Sequence, residues 1–255
     1  MITIAKLEQL RAERIGQEIT NIYGSKIKII DYKNNENVKV LFPKYNYETI
    51  TTWRTFEKGK LKSPYCPSFY GHGFIGEGQY SYKNNTKAYS MWQGMLRRCY
   101  DFKYLEKKPT YEQCEVCEEW HNFQNFAQWF EMNYYEIEDS TMNLDKDILI
   151  KNNKVYGPDT CLIVPSEINS LFTKTNAKRG NLPIGVDFHN NKFRASMNIH
   201  GKHVHIGVYD NIEDAFSAYK MRKETYIQEI ADEYRYEIPE KLYEAMYNYE
   251  VEWED

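Results

Sequence analysis

The sequence predicts an α+β protein with a small N-terminal β unit, a central helical segment ending in a ββα unit, and a C-terminal three-stranded antiparallel sheet packed on a helix. Three observations support this class. Short alternations of apolar and polar residues near the N-terminus are typical of strands. Apolar residues at spacings of three and four in the middle of the chain are typical of helices. Strand-like runs separated by turns, followed by an amphipathic stretch, occur near the C-terminus.

The chain length favours several small domains, because 255 residues exceed the usual single-domain size of about 100 to 150 residues. We predict a β-rich domain over 1–85, a central domain of helices and a ββα unit over 86–175, a sheet domain over 176–235 and an acidic tail over 236–255. The sequence has no apolar run of about 18 residues and no signal-peptide pattern. We therefore expect a soluble, cytoplasmic protein with no membrane partner.

The first predicted domain shows the period of strands, and the second begins with the period of helices. The runs KIKIIDY, NVKVLF and ETITTWRTF alternate like consecutive antiparallel strands. Two helices are predicted next, over AYSMWQGMLRRCYD and over 118–134. The second helix carries an aromatic stripe, which favours a core-facing helix over a base-stacking surface. The stripe consists of Trp120, Phe123, Phe126 and Phe130, with Ala127 at the same helical spacing.

A charged triplet interrupts the next predicted strand, NLDKDILI at 143–150. Asp145, Lys146 and Asp147 lie side by side between apolar residues, and an unpaired charge on a buried strand costs several kcal/mol. The strand DTCLIVP and the helix EINSLF follow, which completes a ββα unit. The triplet therefore either serves a site or forms salt bridges.

This ββα unit resembles the metal core of the HNH (His-Me finger) nucleases found in phage homing endonucleases. The resemblance implies that Asp145 and Asn169 bind one divalent cation, Mg²⁺ or Mn²⁺, in a phage-infected bacterial host. Lys146 falls where the family has its general-base histidine, and Asp147 is a candidate substitute base. Strand alternation predicts that Asp147 points away from Lys146. The alternative is a salt-bridged triplet in a fold without catalysis.

The cysteines suggest a second, structural metal. Cys114 and Cys117 have the two-residue spacing of half a zinc site. Cys99 and Cys161, with His121, are the residues available to complete it. The alternative is that these side chains are buried free thiols. An odd total of five cysteines argues against a disulfide framework.

Charge is segregated along the chain despite a formal net charge of −4. Residues 174–205 contain six lysines and arginines, one acid (Asp187) and four histidines. Such a basic segment is typical of a phosphate-facing surface. In contrast, residues 113–145 contain no lysine or arginine, and residues 223–255 are strongly acidic. The acidic stretches are candidate surfaces for a protein partner.

The C-terminal motifs GV-x5-KFRA, GKHVHIGVYD and EDAFSAY resemble the APETALA2-type (ethylene-response-factor) DNA-binding domain. In that family a three-stranded sheet lies in the major groove of double-stranded DNA. The resemblance implies that outward-facing strand residues contact bases and phosphates. The candidate DNA-binding residues are Arg179, Lys192, Arg194, Ser196, Asn198, Lys202, His203 and His205.

Two functions follow from these features. The first is a phage-type HNH homing endonuclease that hydrolyses DNA phosphodiester bonds with a divalent metal. The second is a DNA-binding regulator or counter-defence protein that lacks nuclease activity and acts through protein contacts. Asp145 with Asn169 favours the first function, and lysine at position 146 favours the second.

Overall fold

The computed structural model describes residues 3–173 and 182–253. The chain forms two compact units, Met1–Thr110 with Glu118–Gln128 and Tyr111–Cys117 with Trp129–Asp255. The α+β class is confirmed, with an N-terminal antiparallel sheet and a C-terminal three-stranded antiparallel sheet. Within the described residues, no helix is both long enough and apolar enough to cross a bilayer.

Helices and strands are interspersed along the chain. The helices are α1 (Ile4–Arg14), α2 (Trp53–Glu57), α3 (Thr86–Tyr100), α4 (Phe102–Lys107), α5 (Glu118–His121), α6 (Phe123–Asn133), α7 (Ser166–Leu171), α8 (Ile212–Glu233) and α9 (Glu240–Tyr247). The strands are β1 (Glu18–Thr20), β2 (Lys26–Asn34), β3 (Asn37–Phe42), β4 (Tyr47–Thr51), β5 (Glu115–Val116), β6 (Met142–Asp145), β7 (Val155–Tyr156), β8 (Leu162–Pro165), β9 (Val186–His189), β10 (Lys192–Ile199) and β11 (Lys202–Tyr209).

In the first unit, β1 to β4 form an antiparallel sheet in chain order. Alternation buries Ile27 and Ile29 of β2. A register shift between Ile29 and Asp31 then changes the buried parity, so that Tyr32 lies in the core opposite Val38. The predicted β-rich N-terminal segment is therefore a sheet with one buried face.

The prediction of one helix over 118–134 is wrong, because α5 ends at His121 and α6 begins at Phe123. Asn122 lies between the two helices. Asn122 Oδ1 accepts a hydrogen bond from the Gln124 backbone N–H at 3.0 Å. An asparagine that bonds the backbone two residues ahead favours a cap over a helix interior. The prediction that the aromatic stripe is core-facing is confirmed. The buried residues are Trp120, Phe123, Phe126, Ala127 and Phe130.

A buried hydrophobic cluster of the second unit joins the three-stranded sheet to residues from several other elements. Ile148 and Val164, from the segment around β6 and β8, join the same buried cluster as Ala195 of β10. Helix α8 crosses this cluster, and Leu242 and Met246 of α9 complete it. This arrangement differs from the predicted boundary at residue 175 and from the predicted tail over 236–255. The tail is acidic in composition, but its apolar residues recur at helical spacing and pack inward.

Leu242→Ala tests whether this acidic segment belongs to the core. The side chain is fully buried, and we expect the free energy of unfolding to fall by at least about 2 kcal/mol because a cavity remains. Tyr236 in the same segment is 99% exposed, and Tyr236→Ala is the matched control. Urea unfolding followed by circular dichroism measures both. A similar, small loss in the two variants would contradict the packing of α9.

Candidate functional sites

Strand β10 is the middle strand of the C-terminal sheet, and its residues alternate between two faces. Ala195 and Met197 are buried in the core of the second unit with residues of α8. Successive side chains of a strand point to opposite faces. The intervening residues therefore lie on the opposite side of the sheet, which we call the outer face. Its β10 members are Lys192, Arg194, Ser196 and Asn198.

The cross-strand register places histidines beside these residues. Ser196 is opposite His205, and Asn198 is opposite His203. Both histidines are exposed. The predicted outer-face residues of β10 and β11 thus form two cross-strand pairs with hydrogen-bonding side chains.

Lys202 does not share the outer face with His203, because the two residues are consecutive in β11. Its partner on β10 is Ile199, which packs against the core. Lys202 is exposed because it is the first residue of the strand after a turn. The outward orientation predicted for Lys202 is corrected accordingly, and its contact with DNA stays a prediction. Arg179 lies outside the described residues.

Two outer-face cations form ion pairs. Arg194 Nε and Nη2 donate to the Asp187 carboxylate at distances of 2.9 to 3.2 Å. Lys192 Nζ lies 2.8 Å from Asp210 Oδ1. Each pair is partly exposed, so it contributes little to stability. The outer face therefore has a smaller net charge than a count of its basic residues indicates.

Two outer-face residues were absent from the predicted site. Asp187 is opposite Arg194, and His189 is opposite Lys192. Their signal in the sequence is alternation with the buried Val186, which assigns both to the outer face. In the sequence, Asp187 is only one acid within a basic segment. Its pairing with Arg194 depends on the register of β9 and β10.

The strand predicted over 143–150 is wrong in length, because β6 ends at Asp145. Asp145 Oδ1 accepts hydrogen bonds from the backbone N–H groups of Asp147 and Ile148, both at 2.8 Å. An aspartate that bonds the backbone two and three residues ahead favours a turn over a strand. The chain therefore bends directly after the first member of the triplet.

Lys146 is the buried member of the triplet. Its Nζ donates to Asp147 Oδ1 and Oδ2 at 2.8 and 2.7 Å and to the Asn153 carbonyl oxygen at 2.6 Å. Asn153 Nδ2 in turn donates to the Lys146 carbonyl oxygen at 2.9 Å. These contacts close the loop between residues 146 and 153 around the ammonium group.

The observed contacts do not place Lys146 or Asp147 as a general base. An ammonium group is a donor without a lone pair, and here its protons are directed at Asp147 and Asn153. The orientation predicted for Asp147, away from Lys146, is wrong because alternation applies only within a strand and the chain turns after Asp145. A role for either residue in proton transfer stays a prediction.

Asp145 and Asn169 are oxygen donors from neighbouring elements. Strand β6 pairs antiparallel with β8, and α7, which carries Asn169, begins directly after β8. Burial raises the pKa of the Asp145 carboxyl, and the backbone N–H groups of Ile148 and Asp147 oppose part of that rise. A carboxylate and an amide suit the hard cations Mg²⁺ and Mn²⁺. The donor chemistry therefore fits the predicted metal.

The described residues contain no group of three His, Cys, Asp or Glu side chains arranged to hold a metal ion. Mg²⁺ in proteins is usually bound by one or two carboxylates, with water and substrate phosphate among its other ligands.

All five cysteines lie among the described residues, and none of them forms a disulfide. Cys99 belongs to the first unit, whereas Cys114, Cys117 and Cys161 belong to the second. Burial raises the pKa of Cys161 to about 12, which keeps this sulfur protonated at neutral pH in the metal-free protein. Zinc binds the thiolate form. Structural zinc at these cysteines stays a prediction.

The outer face and the β6–β8–α7 segment are thus the two features that contain most of the predicted site residues. No family model, curated protein or solved structure matches the chain. A functional assignment therefore depends on the residues of these two features.

Proposed function

We propose that the protein binds double-stranded DNA through the outer face of its C-terminal sheet. The observation that supports this most directly is the row Arg194, Ser196 and Asn198, with His203 and His205 beside it. The opposite side of the sheet packs on α8, so the sheet presents this row on a rigid element. Arginine pairs with guanine edges and asparagine with adenine edges in the major groove, which admits β structure.

DNA binding is tested with the full chain, because the core beneath the sheet includes residues of β8 and α9. Fluorescence anisotropy with a labelled duplex of random sequence measures affinity across a salt series. We expect affinity to fall steeply with salt, since each phosphate contact releases a counterion. The absence of binding at low salt would refute the proposal.

Arg194→Ala is expected to weaken binding to a selected duplex by about tenfold, the loss typical of one arginine–guanine pair. Arg235 is the matched control, because it is also ion-paired but lies in the turn between α8 and α9 and is not part of the sheet. Arg235→Ala should retain the wild-type affinity. Equal affinities for the wild type and Arg194→Ala would exclude Arg194 from the interface.

The same chain, we propose, hydrolyses DNA phosphodiester bonds at the β6–β8–α7 segment. Asp145 and Asn169 would hold a divalent cation, which stabilises developing phosphate charge and lowers the pKa of bound water. Asp145 Oδ1 is engaged in the turn, and this anchors the carboxylate at the end of β6. Because Lys146 directs its protons at Asp147 and Asn153, the proton acceptor is assigned to neither residue.

The second candidate function is DNA binding without cleavage, as a regulator or counter-defence protein with a protein partner. The contacts of Lys146 favour it, because the residue at the family's base position is held as a buried structural ammonium. Supercoiled plasmid incubated with the protein and Mg²⁺ or Mn²⁺, beside a chelator control, separates the two candidates. Metal-dependent nicked or linear product supports the nuclease. Intact plasmid under conditions where DNA is bound supports the second function.

A further inference from the structure

Arg194 and Asp187 are directly opposite each other in the antiparallel pair of β10 and β9. Arg194 Nε donates to both oxygens of Asp187 at 3.1 and 3.2 Å, and Nη2 donates to Oδ2 at 2.9 Å. Two nitrogens on one edge of the guanidinium group therefore contact the carboxylate. Because the two residues lie on adjacent strands, the backbone register holds the carboxylate in place.

This pairing defines which edge of the guanidinium group remains available. A guanidinium is planar and carries five N–H bonds. Asp187 takes the Nε proton and one Nη2 proton. Both Nη1 protons and the second Nη2 proton therefore point away from the carboxylate. One Nη1 proton and the second Nη2 proton can donate to the two acceptors, O6 and N7, on the major-groove edge of guanine.

We propose that Asp187 is a positioning residue that orients Arg194 for recognition of a single guanine. This inference deepens the proposed DNA-binding function and rests on it. An unrestrained arginine side chain samples many rotamers, and a fixed fork loses less freedom when it pairs with a base. Asp187 also lowers the net positive charge of the outer face. It therefore weakens the sequence-independent attraction to phosphates and increases discrimination between bases.

The second ion pair on β10 provides a matched contrast. Lys192 and Asp210 lie 2.8 Å apart, and the Asp210 side chain is 85% exposed. Lysine is a point charge without a planar fork, so a carboxylate beside it does not fix a bidentate geometry. Removal of Asp210 should alter non-specific affinity alone.

The test uses the full chain and a random duplex library, with base preference measured at every position of the selected site. The variants are Asp187→Ala, Asp187→Asn, Arg194→Ala and the control Asp210→Ala. We expect the wild type to require guanine at one position and Arg194→Ala to lose that requirement. Asp187→Ala should lower the preference for guanine there by about tenfold. Its affinity for random-sequence duplex should stay equal or rise.

Asp187→Asn keeps one acceptor for Arg194 and should show an intermediate preference with wild-type thermal unfolding. Asp210→Ala should keep the wild-type preference at every position. If Asp187→Ala retains the guanine preference that Arg194→Ala loses, the positioning role is overturned and the DNA-binding function stands. If both Asp187 variants lose cooperative unfolding, the residue is structural and the inference fails. If the wild type binds no duplex, the DNA-binding function fails, and this inference fails with it.

Discussion

Asp145→Asn is expected to abolish metal-dependent cleavage and also to raise the free energy of unfolding at neutral pH. Asparagine retains an Oδ1 that accepts from the N–H groups of Asp147 and Ile148, so the turn after β6 is preserved. The negative charge is lost. A metal site that depends on this carboxylate should lose at least about 100-fold in cleavage rate, more than the loss of an outer-shell partner.

The gain in stability follows from the raised pKa of Asp145. Burial raises the pKa of Asp145 in the folded protein above its ordinary value of 3.8, which represents the unfolded chain. Between these two values the folded state binds more protons than the unfolded state, so the free energy of unfolding falls as pH rises through the folded pKa. An uncharged asparagine avoids this loss. The variant's advantage should be absent near pH 3, below both values, and should grow as the pH rises to neutrality.

Urea unfolding of both proteins across this pH range, with a chelator present, measures the difference. Asp159→Asn is the control, because Asp159 is an exposed aspartate in the loop between β7 and β8. It should change neither stability nor cleavage by a measurable amount. If Asp145→Asn instead destabilises the protein at neutral pH and still cleaves plasmid, Asp145 is a structural anion and the metal assignment is wrong.

Lys146→Met is expected to lower the free energy of unfolding by about 3 kcal/mol, because charge-assisted hydrogen bonds are lost and a partly buried carbonyl loses its donor. The affected acceptors are the Asp147 carboxylate and the Asn153 carbonyl oxygen. Asp147 is 46% exposed, so water replaces part of its interaction. Most of the loss is therefore assigned to Asn153 and to the loop that it closes.

Lys154→Met is the matched control, since Lys154 is an exposed lysine of the same loop. Thermal and urea unfolding compare the two variants, and plasmid cleavage is measured on the same preparations. Lys146→His is the third variant, because imidazole suits proton transfer at neutral pH but has at most two N–H donors. A structural Lys146 predicts destabilisation in both Met and His variants. Increased cleavage by a stable Lys146→His protein would show that position 146 faces the reacting phosphate.

Local patterns in the sequence determined the outer face of β10 and the start of α8. Ala195 and Met197 alternate with Arg194, Ser196 and Asn198, and a period of two requires only the strand itself. Asn211 caps α8 through the Asp214 N–H at 2.8 Å, a contact that spans three residues. Such features can be predicted from the local sequence, because every interacting group lies within one turn or one strand.

Contacts between distant segments decided the rest. Asp187 meets Arg194 only through the register of β9 and β10, and Lys146 is held by Asn153 across a loop. Leu242 lies in an acidic segment, yet it is buried in the core of the second unit. For Asp187, Arg194 and Lys146, the local sequence agrees equally with a salt bridge, a solvent-exposed position or a role in a binding site. For Leu242, it agrees equally with burial and with exposure. The choice among them depends on which partner the tertiary structure brings within hydrogen-bonding or packing distance.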